Sequence, residues 1–339
     1  MTTSRSQSQD ASWRIFQGNG GVHPGWQVPE PPRWRPRRAS EQQAKRDPGR
    51  PPLSPAAQIN GVAYRSNDDI VRMVNAALYL RRPLLVTGAP GTGKSTLVDA
   101  VAYELGLGEP LRWAVTSRST MRDAQYSYDA IGRLQSRDAG KDSGERQDIG
   151  AFIELGPLGT AMLPSLRPRI LLIDEIDKAD VDLPNDLLNI LDEGRFTIPE
   201  LGRIGKDKIT VSLFGGSGHV DLEHGKVECY EYPLVILTSN GERDFPAPFL
   251  RRCLQLRMPD PLADRKRLEA IVSAHLGDDK ADQSAPLIEN FMERARKGEV
   301  LATDQLLNAI QMVMGVYAMN EEDKVKLEAA LTVGLGRKS

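Results

Sequence analysis

The sequence predicts an α/β protein in which a doubly wound, mainly parallel sheet is followed by a small α-helical domain. Five short, mostly apolar segments alternate with helical patterns, as expected for parallel strands that are covered on both faces. A glycine-rich loop joins the first of these strands to a helix. After Pro261 the strand candidates end and only helical spacing continues, which predicts the second domain.

The composition limits the function classes that fit the chain. Its 339 residues allow one sizeable core with a smaller domain, or two modest domains. A formal net charge of −2 argues against a polycation that binds nucleic acid or an anionic membrane by charge alone. Two cysteines are too few for a disulfide framework, and no apolar run approaches the ~18–20 residues that span a bilayer. We therefore expect a cytoplasmic protein without membrane insertion.

Residues 1–55 differ from the rest of the chain and predict a Pro/Arg-rich arm that is extended or disordered. They contain nine of the 23 prolines, and nine Lys/Arg against four Asp/Glu. Three of the four tryptophans also lie here, namely Trp13, Trp26 and Trp34. Two interpretations remain open: the indoles lie on the main domain or on a partner, or the segment is a disordered basic leader.

Residues 60–258 are predicted to form the sheet domain. Its first helix would be capped by Ser66 and end at Arg81 and Arg82, and its second would end at Gly106. The strand candidates are residues 83–87, 111–116, 169–174, 234–238 and 254–258. Two long connections, 126–158 and 195–231, interrupt this pattern, and loops of such length tend to be functional.

Residues 259–339 are predicted to form a helical domain. Leu268 and Val272 mark its first helix, and Phe291 lies in its second. Thr303 is the expected cap of the third helix, and residues 321–333 form the fourth. A lid of this kind would lie against the sheet domain.

The glycine-rich loop fits the pattern G-x-x-x-x-G-K-[ST] and predicts a phosphate-binding site. Its glycines let backbone N–H groups turn toward phosphate oxygens, and the following helix adds its positive end. Lys94 would reach the β- and γ-phosphates of ATP, and the Ser95 hydroxyl would ligate Mg²⁺. The predicted nucleotide-binding residues are Gly88, Ala89, Pro90, Gly91, Thr92, Gly93, Lys94, Ser95 and Thr96.

A second motif lies about 80 residues downstream, where the apolar strand Ile170–Ile173 ends in Asp174 and Glu175. The carboxyl ends of parallel strands are where open α/β sheets bind ligands. Asp174 would hold Mg²⁺ with Ser95, and Glu175 would take a proton from the attacking water or orient it. Because no Asn-Lys-x-Asp motif is present, the pattern favours an ATPase over a GTPase.

These motifs, with two further segments, resemble the AAA+ ATPases. The resemblance implies that Leu237-Thr-Ser-Asn240 carries the first sensor, with Asn240 orienting the lytic water. It also implies that Phe249-Leu-Arg-Arg-Cys253 carries an arginine finger to the neighbouring subunit. Arg252 is the first choice for that finger because it lies closest to the last strand, and Arg251 is the second.

Within the AAA+ proteins, residues 60–320 resemble the MoxR branch, through Asp174–Lys178, Asp186–Glu193, Thr238–Gly241 and Phe245–Phe249. The resemblance implies a homo-oligomeric ring, expected to be a hexamer, that remodels or assembles a client protein as a chaperone. It also implies a partner with a von Willebrand factor A domain, and long connections that face the channel of the ring. Gln305 stands where the branch usually has a sensing arginine, and it is not assigned as a ligand.

Two rival functions remain open from the sequence. A nucleic-acid motor would need a basic surface with interleaved aromatic residues, which is absent outside residues 1–55. A nucleotide-gated scaffold with little turnover would not need Glu175. The four histidines and two cysteines lack the spacing of metal ligands, so the only metal expected is Mg²⁺.

Overall fold

The computed structural model describes residues 13–23, 25–139, 149–204, 207–299, 301–314 and 321–332. Its helices are α1 Glu41–Ala44, α2 Pro55–Ala63, α3 Asp68–Leu80, α4 Lys94–Leu105, α5 Met121–Gln125, α6 Ala130–Ala139, α7 Pro157–Ala161, α8 Leu183–Glu193, α9 Pro199–Gly202, α10 Ala247–Leu250, α11 Arg265–Leu276, α12 Asp278–Gln283, α13 Ala285–Arg296, α14 Thr303–Val313 and α15 Glu321–Leu331. Its strands are β1 Leu84–Thr87, β2 Leu111–Ala114, β3 Tyr126–Tyr128, β4 Ile153–Leu155, β5 Ile170–Asp174, β6 Arg195–Thr197, β7 Lys208–Ser212, β8 His219–Glu223, β9 Lys226–Glu228, β10 Leu234–Ser239 and β11 Leu254–Arg257. Among these residues, every helix is too short or too polar to cross a bilayer.

The five predicted strands form one sheet in the order β11-β1-β10-β5-β2, and each neighbouring pair is parallel. Side chains along β10 alternate between two cores, because successive residues of a strand point to opposite faces. Val235 and Leu237 pack in the core that includes α8, while Leu234 and Ile236 pack in the core that includes α3 and α4. The predicted doubly wound parallel sheet is therefore confirmed.

The two long connections meet in a second, smaller sheet of order β3-β4-β7-β8. The strand β4 comes from the first connection and pairs with β7 of the second, through Glu154 and Ser212. The second connection also contributes the antiparallel pair β6–β9. Residues 140–148 and 205–206 of these connections lie outside the described residues. The two insertions thus form one structural unit on the sheet domain.

The helical domain contains α11 to α15, with a core of its own that includes Leu268, Phe291 and Leu306. The short α12 was not predicted from the sequence. Two predicted caps are off by one residue. The Asn67 side chain, and not Ser66, caps α3 by accepting from the Ile70 backbone N–H (2.9 Å). Thr303 is the first residue of α14, whose N-cap is Ala302.

The described part of the arm lies on the sheet domain, in place of the disordered leader that the sequence left open. Phe16 is fully buried in the core formed with α3 and α4. The backbone N–H groups of Ile15 and Phe16 both donate to Asn75 Oδ1, at 2.7 and 3.0 Å. The indole of Trp26 donates to the Leu105 carbonyl (2.9 Å). Trp34, in contrast, is 72% exposed.

Charged contacts fasten the same arm to the sheet domain. The buried Glu231 carboxylate accepts from Arg37 of the arm and from Arg81, each at 2.7 Å. The buried Glu104 carboxylate accepts from the backbone N–H of Gly18 (2.9 Å). Because a buried charge without a partner is costly, the arm stabilises both carboxylates, a role that it shares with Arg81 at Glu231.

We expect Phe16→Ala to lower the free energy of unfolding by ~3–5 kcal/mol, because it would empty a fully buried aromatic site. Trp34→Ala is the matched control, since it removes another aromatic side chain of the arm from an exposed position, and should change stability by about 0.5 kcal/mol or less. Urea unfolding measures both values. Equal effects of the two substitutions would contradict the packing of the arm.

Candidate functional site

The predicted phosphate-binding loop lies between β1 and α4, at the carboxyl edge of the main sheet. Gly91 and Gly93 have φ of 74° and 82°, in the left-handed region that favours glycine. The Thr92 hydroxyl donates to the Ala89 carbonyl (2.9 Å) and closes the turn. Gly93 is the N-cap of α4, so the amino end of this helix faces the loop.

Lys94 lies at the centre of this region and is largely buried. Its ammonium donates to the carbonyls of Gly88 (2.8 Å) and Ala89 (2.9 Å) and to Asn240 Oδ1 (2.7 Å). Burial lowers the pKa of Lys94, while the nearby carboxylates of Asp174, Asp177 and Glu175 raise it. The lysine therefore joins the loop to the end of β10, within a cluster of acidic groups.

The paired carboxylates lie beside the loop, as predicted. Asp174 Oδ1 is 3.2 Å from the Ser95 hydroxyl. Asp174 also accepts from the Thr238 hydroxyl, which in turn accepts from the Glu175 backbone N–H (2.9 Å). Glu175 has a φ of 58°, a conformation that costs a non-glycine residue ~1–3 kcal/mol and that clusters at functional sites.

Asn240 connects Lys94 to Glu175. Its side-chain amide donates to Glu175 Oε1 (3.2 Å), while its oxygen accepts from Lys94. The other oxygen of Glu175 accepts from Lys178 Nζ (2.6 Å), and this bond raises the pKa of Lys178. The structure therefore brings Lys94, Ser95, Asp174, Glu175 and Asn240 into one network of hydrogen bonds.

Two residues of this network were missed from the sequence. The buried Asp177 Oδ2 accepts from the backbone N–H groups of Asn240 (3.0 Å) and Glu242 (3.1 Å), which fixes the turn after β10. Thr238 bridges the two strand ends. Both lie within the segments that carry the resemblance, but their roles depend on contacts across more than 60 residues. A single sequence gives no signal for such pairs.

The predicted arginines lie apart from this network. Arg252 Nη1 donates to Asn189 Oδ1 of α8 (3.2 Å), and its Nε is 3.5 Å from Asp192 Oδ2. Arg251 is exposed. The backbone carbonyl of Arg252 accepts from Arg82 Nε (3.0 Å), which anchors the end of α10 beside the start of β1. Both arginines therefore belong to another surface of the same chain.

The helical domain closes against the loop. A Cβ placed on Gly91 would lie 2.8 Å from Ala302 Cβ, so α14 begins in contact with the loop and glycine is required there. Gln305 Oε1 accepts from the Ala302 backbone N–H (2.9 Å) and thereby caps its own helix. The side chain of Gln305 therefore stabilises the first turn of α14. Because a glutamine is uncharged, it offers no charge to a ligand.

A cavity of about 350 Å³ borders the loop and is lined by Gly88, Ala89, Thr92, Arg257, Met258, Pro259 and Asp260. A larger cleft of about 690 Å³ lies between the arm and the β7–β8 hairpin, and no residue of the hydrogen-bond network lines it. The described residues contain no cluster of His, Cys, Asp and Glu that would hold a metal ion by itself. Burial raises the pKa of both Cys229 and Cys253 to about 12, so these thiols are unreactive.

Comparisons with known proteins bear on the same region. Residues 83–234 match the family described as the AAA domain of the dynein-related subfamily. No curated protein matches the chain. Among solved structures, NtrX from Brucella abortus in complex with ATP is 13% identical, with a TM-score of 0.39 over 78% of this chain and 51% of that chain. The S. cerevisiae Hsp104–ADP complex is 19% identical, with a TM-score of 0.38 over 77% of this chain and 44% of that chain.

The chain thus spans about half the length of these solved structures, or less. The family match covers β1, the loop, β2 and β5, and ends where β10 begins. It therefore includes Lys94, Ser95, Asp174 and Glu175. Residues 83–234 are thus similar to an AAA domain, and the parallel sheet with the loop between β1 and α4 is a P-loop NTPase fold of the α/β class.

Proposed function

We propose that this chain binds ATP with Mg²⁺ between the loop and the helical lid and hydrolyses it to ADP and phosphate. The observation that carries the proposal is the single network of Lys94, Ser95, Asp174, Glu175 and Asn240. A lysine, a hydroxyl, two carboxylates and an amide are the groups that phosphoryl transfer to water requires.

The donor set fits a magnesium ion. The Ser95 hydroxyl and Asp174 carboxylate lie next to one another, and Mg²⁺ prefers oxygen ligands and retains several waters. Thr238 holds Asp174 in place, so this ligand is preorganised. When bound, the ion would neutralise charge on the β- and γ-phosphate oxygens.

The phosphates would replace the present partners of Lys94. Its ammonium is held by the carbonyls of Gly88 and Ala89, which are neutral acceptors. Phosphate oxygens carry charge and accept stronger hydrogen bonds from an ammonium group. The amino end of α4 and the backbone N–H groups of the loop would supply the remaining donors.

Glu175 and Asn240 would act on the water. The attacking oxygen forms a bond to the γ-phosphorus while the bond from that phosphorus to the bridging oxygen breaks. Glu175 takes the proton that the water loses. Asn240 orients the water and the Glu175 carboxylate, because its amide already donates to Glu175 Oε1. Lys178 donates to the other oxygen of the same carboxylate, Oε2, and so helps to fix the position of Glu175.

We expect Glu175→Gln to bind Mg-ATP with nearly wild-type affinity but to lose at least about 10²-fold in turnover, because the amide cannot accept the proton. Nucleotide titration and phosphate release measure the two quantities. Asp174→Asn is the contrasting variant and should weaken Mg²⁺-dependent binding. Near wild-type turnover by Glu175→Gln would move the base elsewhere, and loss of turnover together with binding would point to a structural role.

The biological role proposed here is that of a MoxR-like chaperone, which forms a ring, expected to be hexameric, and remodels or assembles a client protein. The motifs at residues 174–178, 186–193, 238–241 and 245–249 support it. A partner with a von Willebrand factor A domain is part of this proposal. The Glu175→Gln variant with ATP is the form with which to isolate the client, since it should hold the engaged state.

Within the ring, we propose that Arg252 acts on the nucleotide of the neighbouring subunit. Its contacts in its own chain are with α8 and not with the loop, which supports a role in trans. A guanidinium at the γ-phosphate would stabilise the charge of the transition state. Arg251, which is exposed, is the alternative.

Arg252→Ala should bind ATP normally and lose on the order of 10³–10⁵-fold in turnover. Lys94→Ala subunits, which cannot hold the phosphates, should restore activity to Arg252→Ala subunits by lending them an arginine. Steady-state hydrolysis in mixtures of the two variants tests this. If the mixture stays inactive while both variants assemble, Arg251 becomes the candidate, and a rate per subunit that is independent of protein concentration would rule out action in trans.

A further inference from the structure

The carboxyl end of α8 is covered by the arm. Arg35 is 7% exposed, and its Nη1 donates to the Leu191 carbonyl (2.6 Å) in the last turn of this helix. Arg38 Nε donates to the Glu193 carbonyl (2.9 Å), two residues further along the helix. Cations suit the carboxyl end of a helix, where carbonyl groups lack partners within the helix. The arm thus caps α8 through two guanidinium groups.

Arg35 makes a second contact that Arg38 does not make. Its Nη2 donates to Asp192 Oδ1, and its guanidinium lies over the ring of Tyr232 (5.5 Å to the centroid). The other oxygen of the same carboxylate, Oδ2, faces Arg252 Nε at 3.5 Å. One carboxylate on α8 is therefore shared between an arginine of the arm and Arg252.

The two arginines are held very differently. The Arg35 side chain is 8% exposed and is bound to a backbone carbonyl, so its position is fixed by the fold. The Arg252 side chain is 37% exposed, and an ion pair at such a site contributes little to stability. A long side chain at the surface also loses rotamer entropy when it is ordered, which opposes the pairing. Arg252 alone would not hold Asp192 in one rotamer, whereas Arg35 does.

Asp192 and Asn189 in turn orient the Arg252 guanidinium. Asp192 contacts Nε and Asn189 contacts Nη1. The guanidinium has five N–H donors, so others point away from these two residues. The backbone of the same segment is fixed by Arg82, which donates to the carbonyls of Arg251 and Arg252. The position of the Arg252 guanidinium is therefore set by contacts of its side chain and of its backbone.

We propose that the arm is a positioning element for the trans-acting arginine, with Arg35 acting through Asp192 on Arg252. This inference rests on the proposed function, because it requires that Arg252 serves the neighbouring site. Arg35 is a positioning residue and touches no reacting atom. The arm is also fastened next to this point by Arg37 at Glu231 and by the Ala39 N–H at the Cys229 carbonyl (3.1 Å), so it can hold Asp192 rigidly.

The test compares Arg35→Ala and Asp192→Ala with Arg38→Ala, in the full chain. Arg38 is the matched control because it is an exposed arm arginine at the same helix end that does not contact Asp192. Arg35→Ala and Asp192→Ala should keep KM for ATP and lower kcat by about 10-fold to 10²-fold, since small misplacements of catalytic groups cost this much. Arg38→Ala should stay within about two-fold of wild type. The double variant should be no worse than either single variant, because both act through one contact.

Mixing separates positioning from a general structural effect. Lys94→Ala subunits carry an intact Arg35, Asp192 and Arg252, and so should restore turnover to Arg35→Ala subunits, as they should to Arg252→Ala subunits.

If Arg252→Ala is rescued but Arg35→Ala and Asp192→Ala turn over like wild type or faster, the positioning role is wrong while the proposed function stands. If Arg35→Ala and Asp192→Ala are impaired and mixing does not rescue them, they act within their own subunit and the inference is also overturned. Wild-type turnover by Arg252→Ala itself would instead refute the trans arginine. Because Asp192 is partly exposed, Asp192→Ala decides the matter even if Arg35→Ala fails to fold.

Discussion

The ammonium of Lys94 is the charge on which the rest of the site depends. It lies among the carboxylates of Asp174, Glu175 and Asp177, at the one place where the loop after β1, the end of β5 and the end of β10 meet. Its bonds to two loop carbonyls and to Asn240 join the loop to the residue that follows β10. The parallel order of the sheet makes this meeting possible, because β10 lies between β1 and β5.

Much of the sheet domain could be predicted from the sequence, because its signals are local. Apolar runs identified the five strands, and the loop and the paired carboxylates identified the edge at which they meet. The caps of α3 and α14 were missed by one residue, since several polar residues compete at a helix start. The pairing of the short β strands in the two insertions was not predicted, because contacts such as Glu154 with Ser212 join distant segments.

The arm could not be placed from its composition. Its proline and arginine content is typical of a solvated segment, yet the arm packs on the sheet domain through partners far along the chain. Phe16 enters a core built by α3 and α4, and Arg37 meets Glu231 across 194 residues. Such contacts give the buried carboxylates of Glu231 and Glu104 partners from the arm. The arm also contacts α8 through Arg35 and Arg38, and Arg35 shares Asp192 with Arg252.

We propose that Lys94 holds the phosphates of a bound nucleotide, and calorimetric titration of Mg-ATP tests this role most directly. Lys94→Ala should weaken binding by about 30-fold or more, since removing one partner of a buried charge pair costs ~2–5 kcal/mol. Lys45→Ala, at an exposed position of the arm, should bind as wild type does. Binding by Lys94→Ala within a few-fold of wild type would contradict the assignment of the loop.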